Sequence, residues 1–325
     1  MSSRQRTLVI QIPCFNEEQT LAATVADLPR AVDGFDAVMF LVVDDGSTDR
    51  TVEVARQCGV HHVVSHQRNR GLAAAFLTGL DTALRLGADV IVNTDADNQY
   101  SASSIPALVR PVLDGSADLV VGERPIESIA NFSPVKKRLQ RIGTRVVRLA
   151  SGTPVEDAAS GFRAMNRETA LRLHVFGRFT YTMETLIQAG AEQLAVVSVP
   201  IEVNPQTRPS RLVRSSAQYV RRSAAAIIRS FAIYRPFRFF AAIAAIPSAI
   251  GAGLIVRWIL LWQFADDYQS RVPSLVIAAV FLLIGAQILT VAFLADLMAS
   301  TRRLVADTRY RARRAELDAH GRDAG

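Results

Sequence analysis

Two runs of this chain, Phe239 to Val256 and Leu275 to Leu294, contain no charged residue. Each approaches the roughly 20 residues that carry a helix across a bilayer core, so the sequence predicts two transmembrane helices. A soluble helical hairpin is the competing fold. Trp258 and Trp262, placed after the first run like the aromatic belt of a membrane interface, weigh against it.

The charge pattern agrees. Lys and Arg total 37 against 30 Asp and Glu, a net charge of +7, and the surplus gathers after residue 200 at Arg208, Arg211, Arg214, Arg221, Arg222, Arg229, Arg235 and Arg238. Just before the first run, Val213, Ala217, Val220, Ala224, Ile227 and Phe231 fall on one side of a helix, with Arg214, Gln218, Arg221, Arg222 and Arg229 on the other. That pattern predicts an amphipathic helix in the headgroup layer, bound to membrane lipid. No zinc-finger spacing or aromatic-basic RNA-binding strand is present, so nucleic acid is not an expected partner. Cys14 and Cys58 are the only cysteines, which excludes a disulfide framework or thiolate metal site and fits a reducing compartment. Met1 to Arg6 is polar and the apolar run after it stops at Pro13, so no cleaved secretory signal is expected.

Before residue 205, short β-rich runs alternate with helix-length segments: Leu8 to Ile12, Val38 to Val43, His62 to Ser65, Val90 to Asn93 and Leu119 to Val121. This predicts an α/β domain with a mostly parallel sheet, whose ligands bind beyond the carboxyl ends of the strands. The first strand runs into Pro13-Cys14-Phe15-Asn16-Glu17, and the second into Asp44-Asp45-Gly46-Ser47-Thr48-Asp49. Carboxylates there can accept hydrogen bonds from a nucleobase, and a Gly-Ser-Thr turn lets a ribose approach the backbone. The fourth strand runs into Asp95-Ala96-Asp97-Asn98-Gln99. Two carboxylates about 4 Å apart repel by roughly 4 kcal/mol at an effective dielectric near 20, so a converging pair calls for a divalent cation or a proton. Neither a GxGxxG after the first strand nor a GxxxxGK[ST] occurs, against a dinucleotide oxidoreductase and a P-loop NTPase.

These segments, with Asn69-Arg70-Gly71-Leu72, Gly122-Glu123-Arg124 and Ser160-Gly161-Phe162-Arg163, follow one another as in a known family. The chain resembles the inverting family 2 glycosyltransferases of GT-A fold, and within them the dolichyl-phosphate mannose synthases and GtrB-like polyprenyl-phosphate glycosyltransferases. The resemblance covers roughly residues 7 to 210, and two C-terminal spans occur in many GtrB-like members. It implies that Asp44 contacts the base, while Pro13, Asn16, Glu17, Asp45, Gly71 and Asp95 line the nucleotide site. Asp95, Asp97 and Gln99 hold Mg²⁺ or Mn²⁺ and the diphosphate. Arg124, with Lys137 or Arg138, meets the acceptor phosphate, and Arg208 and Arg211 are further candidates. Asp157 is a base or sugar-positioning group, and Glu184 a sugar contact. Two departures stand out: Gly71-Leu72-Ala73 in place of Gly-Leu-Gly, and Arg208-Pro209-Ser210-Arg211 in place of a basic-Gly-Ser segment.

The implied activity is transfer of a hexose from a nucleotide-diphosphate sugar to a polyprenyl phosphate, with inversion. A processive polysaccharide synthase of the same fold is disfavoured by the absence of Gln-x-x-Arg-Trp, and a non-catalytic scaffold by the Asp95/Asp97 pair. Four segments are expected: a catalytic domain over 1–210, a juxtamembrane helix over 211–236, a membrane hairpin over 237–296 and a basic tail over 297–325. The positive-inside rule puts both termini and the catalytic domain in the cytoplasm, at the inner membrane, with a homo-oligomer possible.

Overall fold

The computed structural model describes residues 5–126, 134–175, 181–205, 216–264 and 272–323. Seven strands form one sheet: β1 (Thr7–Cys14), β2 (Ala37–Asp44), β3 (His62–Ser65), β4 (Val90–Asn93), β5 (Leu119–Glu123), β6 (Arg163–Asn166) and β7 (Val196–Pro200). Their order is β3-β2-β1-β4-β6-β5-β7. Every pairing is parallel except the two made by β6, which runs antiparallel to β4 and β5. The five strands expected from the sequence are all present, and β6 and β7 are additional to them. Helices α1 (Leu21–Asp27), α2 (Thr51–Gln57), α3 (Leu72–Arg85), α4 (Ile105–Leu113), α5 (Pro134–Ser151), α6 (Arg167–Arg172) and α7 (Thr182–Ala191) fill the connections.

The reason for this arrangement is in the strands themselves. β1 and β2 carry Leu8, Ile10, Ile12, Phe40 and Val42, all fully buried, so the sheet must be covered on its faces. Because β1, β2 and β4 are parallel, Cys14, Asp44 and Asn93 lie at the same, carboxyl end of the strands, and the polar segments that follow them gather there.

Three more helices follow: α8 (Ser216–Tyr234), α9 (Pro236–Phe264) and α10 (Val272–Asp323). By packing, the chain divides into two units, Met1–Ser230 with Thr308–Gly325, and Phe231–Asp307. The expected basic tail continues α10, a helix of 52 residues, and its end belongs to the first unit.

In the second unit, α9 and α10 are each long and apolar enough to cross a membrane. They meet through small residues. Ala244, Ala278 and Ala292 are fully buried, whereas Ile246, Leu283 and Phe293 are 64%, 61% and 60% exposed. A Cβ on Gly251 would lie 2.8 Å from Leu282 Cγ and 2.9 Å from the Ala278 carbonyl oxygen. Small residues inside and large apolar ones outside suit lipid as the surrounding solvent, since water would drive the large residues inward.

Candidate active site

The turn after β2 is shaped by its carboxylates. Asp44, 3% exposed, accepts from the Ser47 backbone N–H at 2.9 Å. Gly46 has φ 74°, and a Cβ there would fall 2.6 Å from the Arg68 backbone, so the turn requires glycine twice over. Asn16, also at positive φ, ties this turn to the end of β1: its N–H donates to Ser47 Oγ at 2.9 Å, and its Oδ1 accepts from the Thr48 N–H at 2.8 Å. The Glu17 N–H donates to Thr51 Oγ1 at 2.8 Å. Pro13 precedes this segment within β1 and pairs with Val43.

Asp45 faces the chain itself. Its oxygens accept from the N–H groups of Arg70 at 2.9 Å and Gly71 at 2.7 Å, and one lies 2.7 Å from His66 Nδ1. The other ring nitrogen of His66 meets Thr78 Oγ1 at 2.9 Å. Asp45 therefore shapes the β3–α3 loop, accepting from two backbone N–H groups and lying against His66.

The Asp95-Ala96-Asp97 segment is braced from below and behind. The Asn93 side-chain amide donates to the Gly161 carbonyl and to Tyr181 Oη, both at 2.8 Å, and its oxygen accepts from Gln11 at 2.8 Å. The Gly161 N–H donates to Tyr100 Oη at 3.0 Å. The Gln99 N–H donates to Asp97 at 3.2 Å, and the Gln99 carbonyl accepts from Asn204 at 2.9 Å. Burial, and then the charge of Asp97, push the Asp95 carboxyl up to about 7, with Arg124 pulling the other way. Cys14 is raised as well, first by burial and then by Glu17 and Asp44, which makes it a poor nucleophile.

Arg124, at the end of β5, grips Asp157 with two hydrogen bonds, Nε to Oδ2 at 2.6 Å and Nη2 to Oδ1 at 3.0 Å. Asp157 is fully buried and the Arg124 side chain 14% exposed. The site thus joins a carboxylate pair to a fixed guanidinium, near enough for Asp95 to sense its charge.

Arg163 has no role in the sequence reading. It is fully buried and donates to the carbonyls of Ser160 at 3.0 Å, Thr182 at 2.7 Å and Ala158 at 3.3 Å, and to Thr185 Oγ1 at 2.6 Å. Desolvation lowers it to about 10, so it stays charged at neutral pH and fastens the 157–161 loop to α7. The only signal for it in the sequence is its place after Gly161-Phe162.

The remaining candidates sit differently. Glu184 is 2% exposed on α7, with Arg229 of α8 at 3.6 Å. Lys137 is half-buried and Arg138 exposed on α5, which packs closely on α7 where Gly190 meets Ser151. Arg208 and Arg211 lie outside the described residues.

The chain is 32% identical over 208 residues to the polyprenol monophosphomannose synthase of Mycolicibacterium smegmatis, covering 61% of this chain and 77% of that one. It is 28% identical over 219 residues to the UDP-N-acetylglucosamine–dolichyl-phosphate N-acetylglucosaminyltransferase of Methanococcus voltae, covering 61% and 85%. Its fold is shared with glucosyl-3-phosphoglycerate synthase of Mycobacterium tuberculosis, solved with Mn²⁺, UDP-glucose and phosphoglyceric acid, at TM-score 0.56 and 23% identity over 70% of this chain and 80% of that one. The model of glycosyl transferase family 2 matches residues 9–173, which contain the whole strand-end cluster, and the chain belongs to that family.

Proposed function

We propose that this chain transfers a hexose from a nucleotide-diphosphate sugar to the phosphate of a polyprenyl lipid, with inversion, giving a polyprenyl-monophosphate sugar. The observation that carries this reading is the bidentate Arg124–Asp157 pair, whose guanidinium charge acts on Asp95. A guanidinium held by a buried carboxylate is pre-aimed for a phosphate, while two mutually repelling carboxylates are suited to a cation. Both named relatives act on polyprenyl-type phosphates by their names, which supports the acceptor.

Asp95 and Asp97, with Gln99 beside them, fit Mg²⁺ or Mn²⁺: the donors are hard oxygens, and burial with the Asp97 charge keeps the Asp95 carboxyl raised in spite of Arg124 and Tyr100. When bound, such a cation supplies neutralisation of the leaving diphosphate. The chain's own residues do the rest. Asp44, Asn16 and Glu17 form the wall against which the nucleoside lies. Arg124 holds the acceptor phosphate oxygen toward the anomeric carbon, offsetting its repulsion from the donor. That oxygen is already anionic at neutral pH, so attack needs no general base. With both oxygens of Asp157 bound by Arg124, the geometry supports a positioning role for the carboxylate. A single displacement at the anomeric carbon gives inversion.

The amphipathic α8 and the apolar α9 and α10 support a membrane protein whose catalytic unit works at the cytoplasmic face, where an acceptor phosphate lies at the headgroup level. The proposed division keeps the expected boundaries: catalytic domain to 210, juxtamembrane helix to 236, hairpin to 296. The decisive test is a screen of UDP- and GDP-sugars with short polyprenyl phosphates, using mass detection of the lipid product. A lipid-monophosphate sugar is expected with one donor; release of free nucleoside diphosphate without any glycosylated lipid would overturn the acceptor.

A further inference from the structure

A cavity of about 1300 Å³ lies between the β3–α3 loop, α3, the end of α6 and residues 309–316 of α10. None of Pro13, Asn16, Glu17, Asp44, Asp95 or Asp97 lines it, so it is distinct from the strand-end cluster. Its α10 wall is firmly fastened within the catalytic unit. Arg313 donates to Asp81 at 2.5 Å, Glu316 pairs with Arg85 at 2.9 Å, and Arg314 pairs with Glu168 at 3.3 Å. Tyr310 donates to Glu168 beneath the Arg172 guanidinium, which lies 4.9 Å from its ring centroid, and Leu317 is buried.

The lining is unbalanced in charge. Arg68, Arg70, Arg85, Arg309 and Arg313 face two carboxylates, Asp81 and Glu316. Those two are engaged by Arg85 and Arg313, which leaves the guanidiniums of Arg68, Arg70 and Arg309 with no carboxylate partner among the described residues. His174 on the same wall senses this field: burial, and then Arg309, lower it to about 4, so it stays neutral. A concave wall of unpaired guanidiniums concentrates anions, and their forked donors match the oxygens of phosphate.

We propose that this cavity is a second anion site, taking a small molecule that carries phosphate groups. Its volume accommodates a ligand of nucleotide size. Its occupant would touch the loop that the donor site depends on, because His66 and Arg70 line the cavity while both are bonded to Asp45. Binding there therefore shifts donor affinity, and the donor shifts the affinity of the second anion by the same factor.

The test uses the full chain in zwitterionic nanodiscs, with excess EDTA to silence the carboxylate pair, titrated calorimetrically with inorganic pyrophosphate. Saturable binding is expected, weakened about tenfold or more by Arg68→Ala with Arg309→Ala and unchanged by Asp95→Asn. Nucleoside diphosphate binding by the double variant after Mn²⁺ is restored checks that its fold is intact. Absence of saturable binding overturns the proposal, as does binding lost in Asp95→Asn but kept in the arginine variant. Discs containing anionic lipid then identify the phosphate source: displacement of pyrophosphate assigns the site to a lipid headgroup, and retention assigns it to a soluble metabolite.

Discussion

Asp157 and Arg124 are joined by two hydrogen bonds, so a change in one is felt by the other. Removing one partner of a buried pair costs about 3–5 kcal/mol where the other charge is left without relief, although Arg124 keeps some access to solvent and its share is smaller. If Asp157 works through Arg124, Asp157→Asn and Arg124→Gln should each lower kcat by roughly 10², and the double variant should be no worse than the poorer single. Losses that multiply in the double variant would show that Asp157 acts on the substrate directly. Asp95 differs, because burial and then the Asp97 charge make its ionised form costly, a cost that a bound cation would offset. Asp95→Asn should therefore abolish most turnover while leaving the melting temperature of the chelated protein unchanged or higher. EDTA should reproduce the loss in the wild type and Mg²⁺ or Mn²⁺ reverse it. Full turnover in excess chelator would exclude the metal role.

The same contrast explains which elements the sequence made readable. β1, β2 and β4 are runs of branched apolar residues that end in acidic turns, so both their extent and the carboxylates beyond them could be read in place. β6 could not. It is Arg163-Ala164-Met165-Asn166, and its arginine is tolerated inside because four oxygens converge on it, two from the preceding loop at Ala158 and Ser160 and two from α7 at Thr182 and Thr185. Asn93 was read as a strand end, but its bonds reach 68 and 88 residues along the chain, beyond any local pattern. Asp45 was expected at the nucleotide, and the loop it also holds, through the N–H of Arg70, arrives 25 residues later. At the membrane pair, apolarity was legible but the packing partner was not. Gly251 is the close contact there, facing a backbone carbonyl that cannot yield. Gly251→Leu should destabilise the hairpin by about 1–3 kcal/mol, seen as a lower melting temperature in detergent, with nucleoside diphosphate binding retained. An unchanged melting temperature would mean that α9 and α10 do not meet at this glycine.

For the whole molecule, orientation in the membrane is set by where the arginines lie. Arg302, Arg303, Arg309, Arg311, Arg313 and Arg314 follow the second apolar run, and Arg221, Arg222 and Arg229 precede the first. The segment joining the two runs, Gln263 to Pro273, carries Asp266, Asp267 and a single arginine; residues 265–271 of it lie outside the described part of the structure. Cationic residues near span ends are biased to the cytoplasmic side. We propose on this ground that both flanks face the cytoplasm and the joining segment lies outside it. The first unit contains both the β-sheet and Thr308–Gly325, as required if the chain on either side of the hairpin emerges on one face. A cysteine placed at Ser270, in a background lacking Cys58, should react with an impermeant maleimide added to intact cells. Cys58 in the otherwise native chain should react only after the cells are opened. Labelling of Cys58 from outside, with Ser270→Cys protected until lysis, would invert the topology and put the catalytic unit on the face where nucleotide sugars are absent.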